Sequence, residues 1–201
     1  MPTGKEILDF FSIYYSQYGY LIIGTVLLLD NIVVVGLLLP SELLITMGGY
    51  FARQGDFSLP LMLVVGYLGM MIGQSIAYFI GEKGLQYFLI RWGFGEQLQS
   101  ANTYFTKYGM TALIFASFAG STRAMLSVVI GSSNVTYKEF LVWESLAAII
   151  WVCAFSFLGY FLGYNQTLIE WIVGNVGKIA PTVLIVWVII TIYQRKWGKS
   201  K

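Results

Sequence analysis

The chain is most constrained by a set of apolar stretches at 21–51, 59–81, 140–163 and 179–193, with a more polar one at 110–135. About twenty apolar residues in a helix cross a bilayer. The 201 residues are 57% hydrophobic and only 11% charged, against about 25% charged in a soluble domain, and the mean hydropathy is +0.72. These features describe an all-α integral membrane protein in which one membrane domain, 1–201, uses nearly the whole chain. The opening segment 1–18 carries Asp and Glu ahead of any long apolar run and lacks a small-residue cleavage site. We therefore expect an amphipathic helix at the interface rather than a removable signal peptide.

The stretch 21–51 is longer than one crossing and is interrupted twice, by Asp30-Asn31 and by Pro40-Ser41-Glu42. Proline fixes φ and removes a donor. Non-helical backbone at membrane depth is tolerated only where protein or a wet cavity supplies partners, so the break predicts a re-entrant, discontinuous helix. The stretch 110–135 repeats the anomaly at Ala119-Gly120-Ser121-Thr122-Arg123. Two interrupted segments, each followed by a longer apolar span, predict two re-entrant (broken) helical hairpins in an inverted-repeat-like arrangement. Gly69 and Gly73 form a small-xxx-small pair suited to close helix packing. The charged and aromatic stretch 82–109 reads as interfacial, 179–194 as a C-terminal transmembrane helix, and Trp92, Trp143, Trp171 and Trp197 as interface anchors.

Several chemistries are excluded or disfavoured. The sequence has no histidine and one cysteine, Cys153. A Ser-His-Asp triad, a histidine-based zinc site and an intrachain disulfide are thereby ruled out. We expect no enzyme, no metal and no cofactor. A net charge of +2 with scattered basic residues implies no nucleic-acid partner. Lys83, Arg91, Lys107, Lys138 and the tail's Arg195, Lys196, Lys199 and Lys201 fall on one side, Arg53 and Lys178 on the other, which places the C-terminus in the cytoplasm.

Charges inside the apolar stretches are costly unless paired or wetted. They are Asp30, Glu42 and Arg123, while Glu144 reads as lying near the interface at the start of 140–163. With Glu42 at one break and Arg123 at the other, an acid and a guanidinium would face one site. Arginine offers paired donors to phosphate oxygens, helix N-termini add partial positive charge, and Ser41, Ser121 and Thr122 add hydroxyls. The expected substrate is a phosphate-bearing lipid, bound by Arg123, Ser41, Glu42, Ser121 and Thr122. A proton on Glu42, or on Asp30, would cancel a charge that otherwise repels phosphate, coupling head-group binding to protonation. Plainer readings stand beside these. Pro40-Ser41-Glu42 also fits an interfacial turn with a capping acid, Arg123 a side chain snorkelling to the head groups, and Asp30-Asn31 a polar pair packed between helices. Paired acids also suit a cation/proton antiporter, and a non-catalytic role in envelope assembly stays open, as does a homodimer.

The residues "DN" ahead of "LPSELLITMGGYFARQG", then "GMMIGQSIAYFIGEKG", then "FTKYGMTALIFASFAGSTRAMLSVVIGSSNVTYKEFLVWESLAAIIWVCAFSFLGYFLG" resemble the DedA family of SNARE-associated (VTT) membrane proteins over about 20–163. The resemblance implies a multi-pass protein of the bacterial inner membrane that acts as a flippase or scramblase. Its substrate would be undecaprenyl phosphate or a phospholipid such as phosphatidylethanolamine, with proton dependence in some members. It carries the family's acid after proline onto Glu42, the earlier acid onto Asp30 and the second arginine onto Arg123. Gln74 stands where the family usually has an acid, Ser117 where it usually has an arginine, and Gly120 where it usually has a proline. Loss of one acid and one base together leaves the charge sum unchanged, as expected if those positions normally pair.

Overall fold

A computed structural model describes residues 4–32, 41–56, 58–118, 122–165, 167 and 175. Every regular element among them is helical: α1 Gly4–Asp30, α2 Ser41–Gln54, α3 Leu59–Glu82, α4 Gln86–Leu89, α5 Gly95–Tyr108, α6 Ala112–Ala116, α7 Thr122–Gly131 and α8 Tyr137–Leu162. A π turn, Ile90–Phe94, joins α4 to α5, and a 3-10 turn, Gly109–Thr111, joins α5 to α6. The tips of both expected hairpins (33–40, with Pro40, and 119–121, with Gly120 and Ser121), the helix expected at 179–194, and the tail charges lie outside the described residues.

Among the described residues, two helices are long and apolar enough to cross a membrane: α3, with 24 residues, and α8, with 26. At 1.5 Å per residue they reach about 36 and about 39 Å, more than the roughly 30 Å hydrocarbon core. Local sequence sets their starts. Pro60 lies in the first turn of α3, where its missing N–H is no loss. The Thr136 side chain accepts from the Glu139 backbone N–H at 3.3 Å, capping α8. That cap starts α8 three residues before the expected boundary at 140.

Helix α1 runs unbroken from Gly4 to Asp30, so residues 4–18 continue directly into the apolar run that follows. The apolar periodicity carries through, with Tyr15, Ile23 and Leu27 all buried. Within 110–135 the described residues form a short α6 and a ten-residue α7 on either side of the expected interruption.

Glycines set the packing. A side chain at Gly69 would strike the Gly24 carbonyl of α1 at 2.5 Å, and one at Gly73 the Leu28 carbonyl at 2.5 Å, so α1 lies directly on α3 as small-residue interfaces allow. Gly49 of α2 fits against the backbone of Ser156 and Tyr160 on α8, and Gly131 of α7 against the backbone of Tyr78 and Glu82 on α3. In return Gly159 of α8 meets Thr46, and Gly81 of α3 meets Val128. Each short helix therefore packs on the long helix of the other half. The core divides accordingly into one cluster around Phe51, Met62, Met70 and Trp151 and another around Leu113, Leu126, Ile130 and Phe140.

Candidate functional site

The polar residues of α1, α2 and α7 meet where these helices end. Asp30 is the last residue of α1, Ser41 the first of α2, and Arg123 lies in the first turn of α7. One carboxylate oxygen joins all three. Asp30 Oδ2 accepts from Arg123 Nη2 at 2.6 Å and from Ser41 Oγ at 2.8 Å. The pair is nearly dry, with side-chain exposures of 4% for Arg123 and 8% for Asp30. The guanidinium lies 4.7 Å from the centre of the Trp151 ring and 4.0 Å from Met70 Sδ. Met70 and Trp151 are near the middles of α3 and α8. If those helices span the bilayer, the ion pair sits close to its midplane.

The arrangement differs from the expected one in its partner. Arg123 bonds to Asp30, not to Glu42, which is half-buried in the first turn of α2 and interacts with Arg123 only through its charge. The reason is local. At the start of α2, Glu42 is stabilised by the positive end of its own helix. Asp30, at the negative end of α1, has no such support and takes the guanidinium. Asp30 and Asn31, adjacent in the chain, bond to different neighbouring helices. Asn31 donates to the Leu27 carbonyl at 2.5 Å and accepts from Gln74 Nε2 at 2.8 Å, while Gln74 Oε1 accepts from Ser127 Oγ at 2.7 Å.

Of the remaining expected residues, Thr122 opens α7 and Ser121 lies outside the described residues. Gln74 and Ser117 are both buried, but Ser117 Oγ donates to the Leu113 carbonyl at 2.8 Å and no bond joins the two side chains. Trp92 is 63% exposed. Cys153 is a free, half-buried thiol. Arg53, at the far end of α2, donates to Tyr160 Oη at 3.2 Å and lies 3.8 Å from the centre of the Tyr164 ring.

Sequence reasoning missed two features. One is the buried chain Asn31–Gln74–Ser127, which ties α1, α3 and α7 together. The other is Glu144. Rather than lying at an interface, its side chain is fully buried, and among the described residues neither carboxylate oxygen has a hydrogen-bond partner. The signal was its spacing. Glu144 shares a helical stripe with Ala147, Ala148 and Trp151, all buried.

Residues 39–161 match the family model of the VTT domain. The chain is 25% identical over 200 residues to an alkaline phosphatase-like protein of Lactococcus lactis, covering 92% of each chain. It is 28% identical over 161 residues to undecaprenyl phosphate transporter A of Bacillus subtilis, covering 78% of this chain and 80% of that one. It is 26% identical over 183 residues to the Staphylococcus aureus protein of the same name, covering 87% and 89%. No solved structure matches it.

Proposed function

This chain belongs to the VTT-domain, or DedA, family of membrane proteins, and from that premise we propose that it moves a phosphate-bearing lipid between the leaflets of a bacterial inner membrane. Undecaprenyl phosphate, which names two of its relatives, is the first candidate, and a phospholipid such as phosphatidylethanolamine the second. One observation carries the reading: the Ser41 hydroxyl at the start of α2 and the buried Arg123 guanidinium in the first turn of α7 both donate to a single carboxylate oxygen. Two helix N-termini, a hydroxyl and an arginine make an anion site, and the Asp30 carboxylate holds the place of the anion.

On this reading the head-group phosphate displaces Asp30 from Arg123 and Ser41 while the tails stay in the bilayer, and Ser121 and Thr122 stay the further candidate hydroxyl donors. Asp30, once displaced, is an unpaired acid beside Glu42, and a proton on either removes the repulsion that would expel the phosphate. On this reading α1 with α2, and α6 with α7, act as two re-entrant hairpins. A cation/proton antiporter would need Asp30 free for a cation, and the bond to Arg123 speaks against that.

The test is flux of labelled lipid in vesicles containing only this protein, with undecaprenyl phosphate or phosphatidylethanolamine, with and without a pH gradient. Flux above protein-free vesicles, lost in Arg123→Ala, is the expected result. Flux of neither lipid, or flux indifferent to Arg123→Ala, would overturn the proposal and leave the envelope-assembly role.

A further inference from the structure

Glu144 has no part in the site as described so far. Its side chain is fully buried in α8, and among the described residues neither of its oxygens has a hydrogen-bond partner. An isolated carboxylate in an apolar interior costs several kcal/mol even after relaxation. Such a group stays neutral by holding a proton or stays charged by finding a cation. Arg123, over the Trp151 ring two turns along the same face of α8, is the cation whose charge acts on the Glu144 carboxyl.

Arg123 is bonded to Asp30 at the end of α1, and its charge is also felt by Glu42 at the start of α2 and Glu144 in α8. If all were ionised, one positive and three negative charges would leave the cluster at −2, which opposes entry of an anionic head group. Asp30 is paired and bonded, and Glu42 keeps access to its helix end and to solvent. Glu144 has neither.

We propose that Glu144 is a proton-binding residue of this protein, its carboxyl holding a proton while Arg123 is engaged by Asp30 and yielding it to water when Arg123 turns to pair with Glu144. The exchange is balanced. The O–H bond of Glu144 breaks, the proton leaves to solvent, and the resulting carboxylate takes the guanidinium that Asp30 releases. The other groups around Glu144 do not compete for this role. From α3, Tyr67 is bonded to Ser145 at 2.9 Å and Tyr78 to the Val135 carbonyl at 2.8 Å. Helix α6 has no titratable side chain. From α1, Asp30 is bonded to Arg123 and Ser41, and from α2, Glu42 lies in the first turn of its own helix.

The proposed exchange rests on the lipid-transport reading for its purpose but not for its test. Infrared difference spectra of the purified protein in lipid nanodiscs, recorded between acid and alkaline pH with no added substrate, should show the carbonyl stretch of a buried carboxylic acid. That band should vanish in Glu144→Gln and shift, without vanishing, in Glu144→Asp. In vesicles, the pH dependence of lipid flux should flatten in Glu144→Gln. A band unchanged in Glu144→Gln, or no buried-acid band in the wild type, overturns the proposal. If the band behaves as expected while no lipid moves, the proton site stands and the lipid reading fails. Should Glu144→Gln not fold, the band shift in Glu144→Asp decides.

Discussion

Asp30 and Arg123 each occupy the wrong end of a helix for their charge. An acid at a helix C-terminus and a base in a helix first turn each lose about 0.3–1 kcal/mol relative to the opposite placement, and both are nearly dry here. Neither is there for the sake of its own helix, and each makes sense only against the other. Removing one partner of such a pair leaves a buried charge and typically costs about 3–5 kcal/mol, whereas replacing both can be neutral. Arg123→Met should therefore lower thermal stability in detergent sharply, and Arg123→Met with Asp30→Asn should recover most of the loss while lipid flux stays absent. A double variant no more stable than the single would show that the two side chains do not stabilise each other. Gln74 offers a second residue-scale test. Its Nε2 donates to Asn31 and its Oε1 accepts from Ser127, so Gln74→Glu, which restores the usual family acid, removes the donor facing Asn31. We expect a loss of about 1–3 kcal/mol, with Gln74→Glu plus Ser117→Arg tolerated better than either change alone if the two positions can pair. Chemical denaturation of all three variants checks this. All three charges were legible in the sequence as intramembrane ions, but which acid takes the arginine was not, because that depends on helix ends being brought together rather than on spacing along the chain.

The helices α2 and α7 are short, with 14 and 10 residues, about 21 and about 15 Å of rise, so neither crosses alone. What holds them is backbone-to-backbone contact. A methyl group added at Gly131 would overlap the Tyr78 carbonyl, and one added at Gly81 would overlap the Val128 carbonyl. Because the obstacle is main chain, no side chain can turn aside, and α7 would have to move away from α3, carrying Arg123 with it. Gly131→Ala and Gly81→Ala should therefore both lower thermal stability and reduce lipid flux. Gly95→Ala in α5, where the added methyl meets only Ile90 at 3.8 Å, should leave both unchanged or raise stability by up to about 1 kcal/mol. Melting curves in one detergent, with flux measured in parallel, decide the matter. At this scale the sequence was informative where a local rule acts, as at the proline of α3 or the glycine pair facing α1. It was silent on Gly81, Gly131, Gly49 and Gly159, because the close partner of each is remote in the chain.

Across the whole molecule the contacts repeat with exchange of halves: α2 on α8, α7 on α3, and a glycine from each of the four helices at the crossing. The expectation of an inverted repeat came from two interrupted apolar segments, not from matching residues, since the halves share little sequence and are related chiefly by what their glycines touch. The arrangement has a topological consequence. The turn at Gly55–Asp56, after α2, lies near the end of α8, where Arg53 meets Tyr160. The turn at Ser132–Val135, after α7, lies near the end of α3, where Tyr78 bonds to Val135. Helices α3 and α8 run past each other in opposite directions, with Gly66 beside Val152 and the Ser75 and Tyr137 hydroxyls 2.9 Å apart. The two turns are thus at opposite ends of the bundle. In a membrane each should face a different compartment, while Asp30, Ser41 and Arg123 stay between them. In a Cys153→Ala background, Asp56→Cys and Asn134→Cys place single thiols at exposed positions of the two turns. A membrane-impermeant thiol reagent should label one of them in vesicles of one orientation and the other only in vesicles of the opposite orientation. Labelling of both from the same side would mean that α3 and α8 do not both span the bilayer, and the buried ion pair would then lie at no midplane.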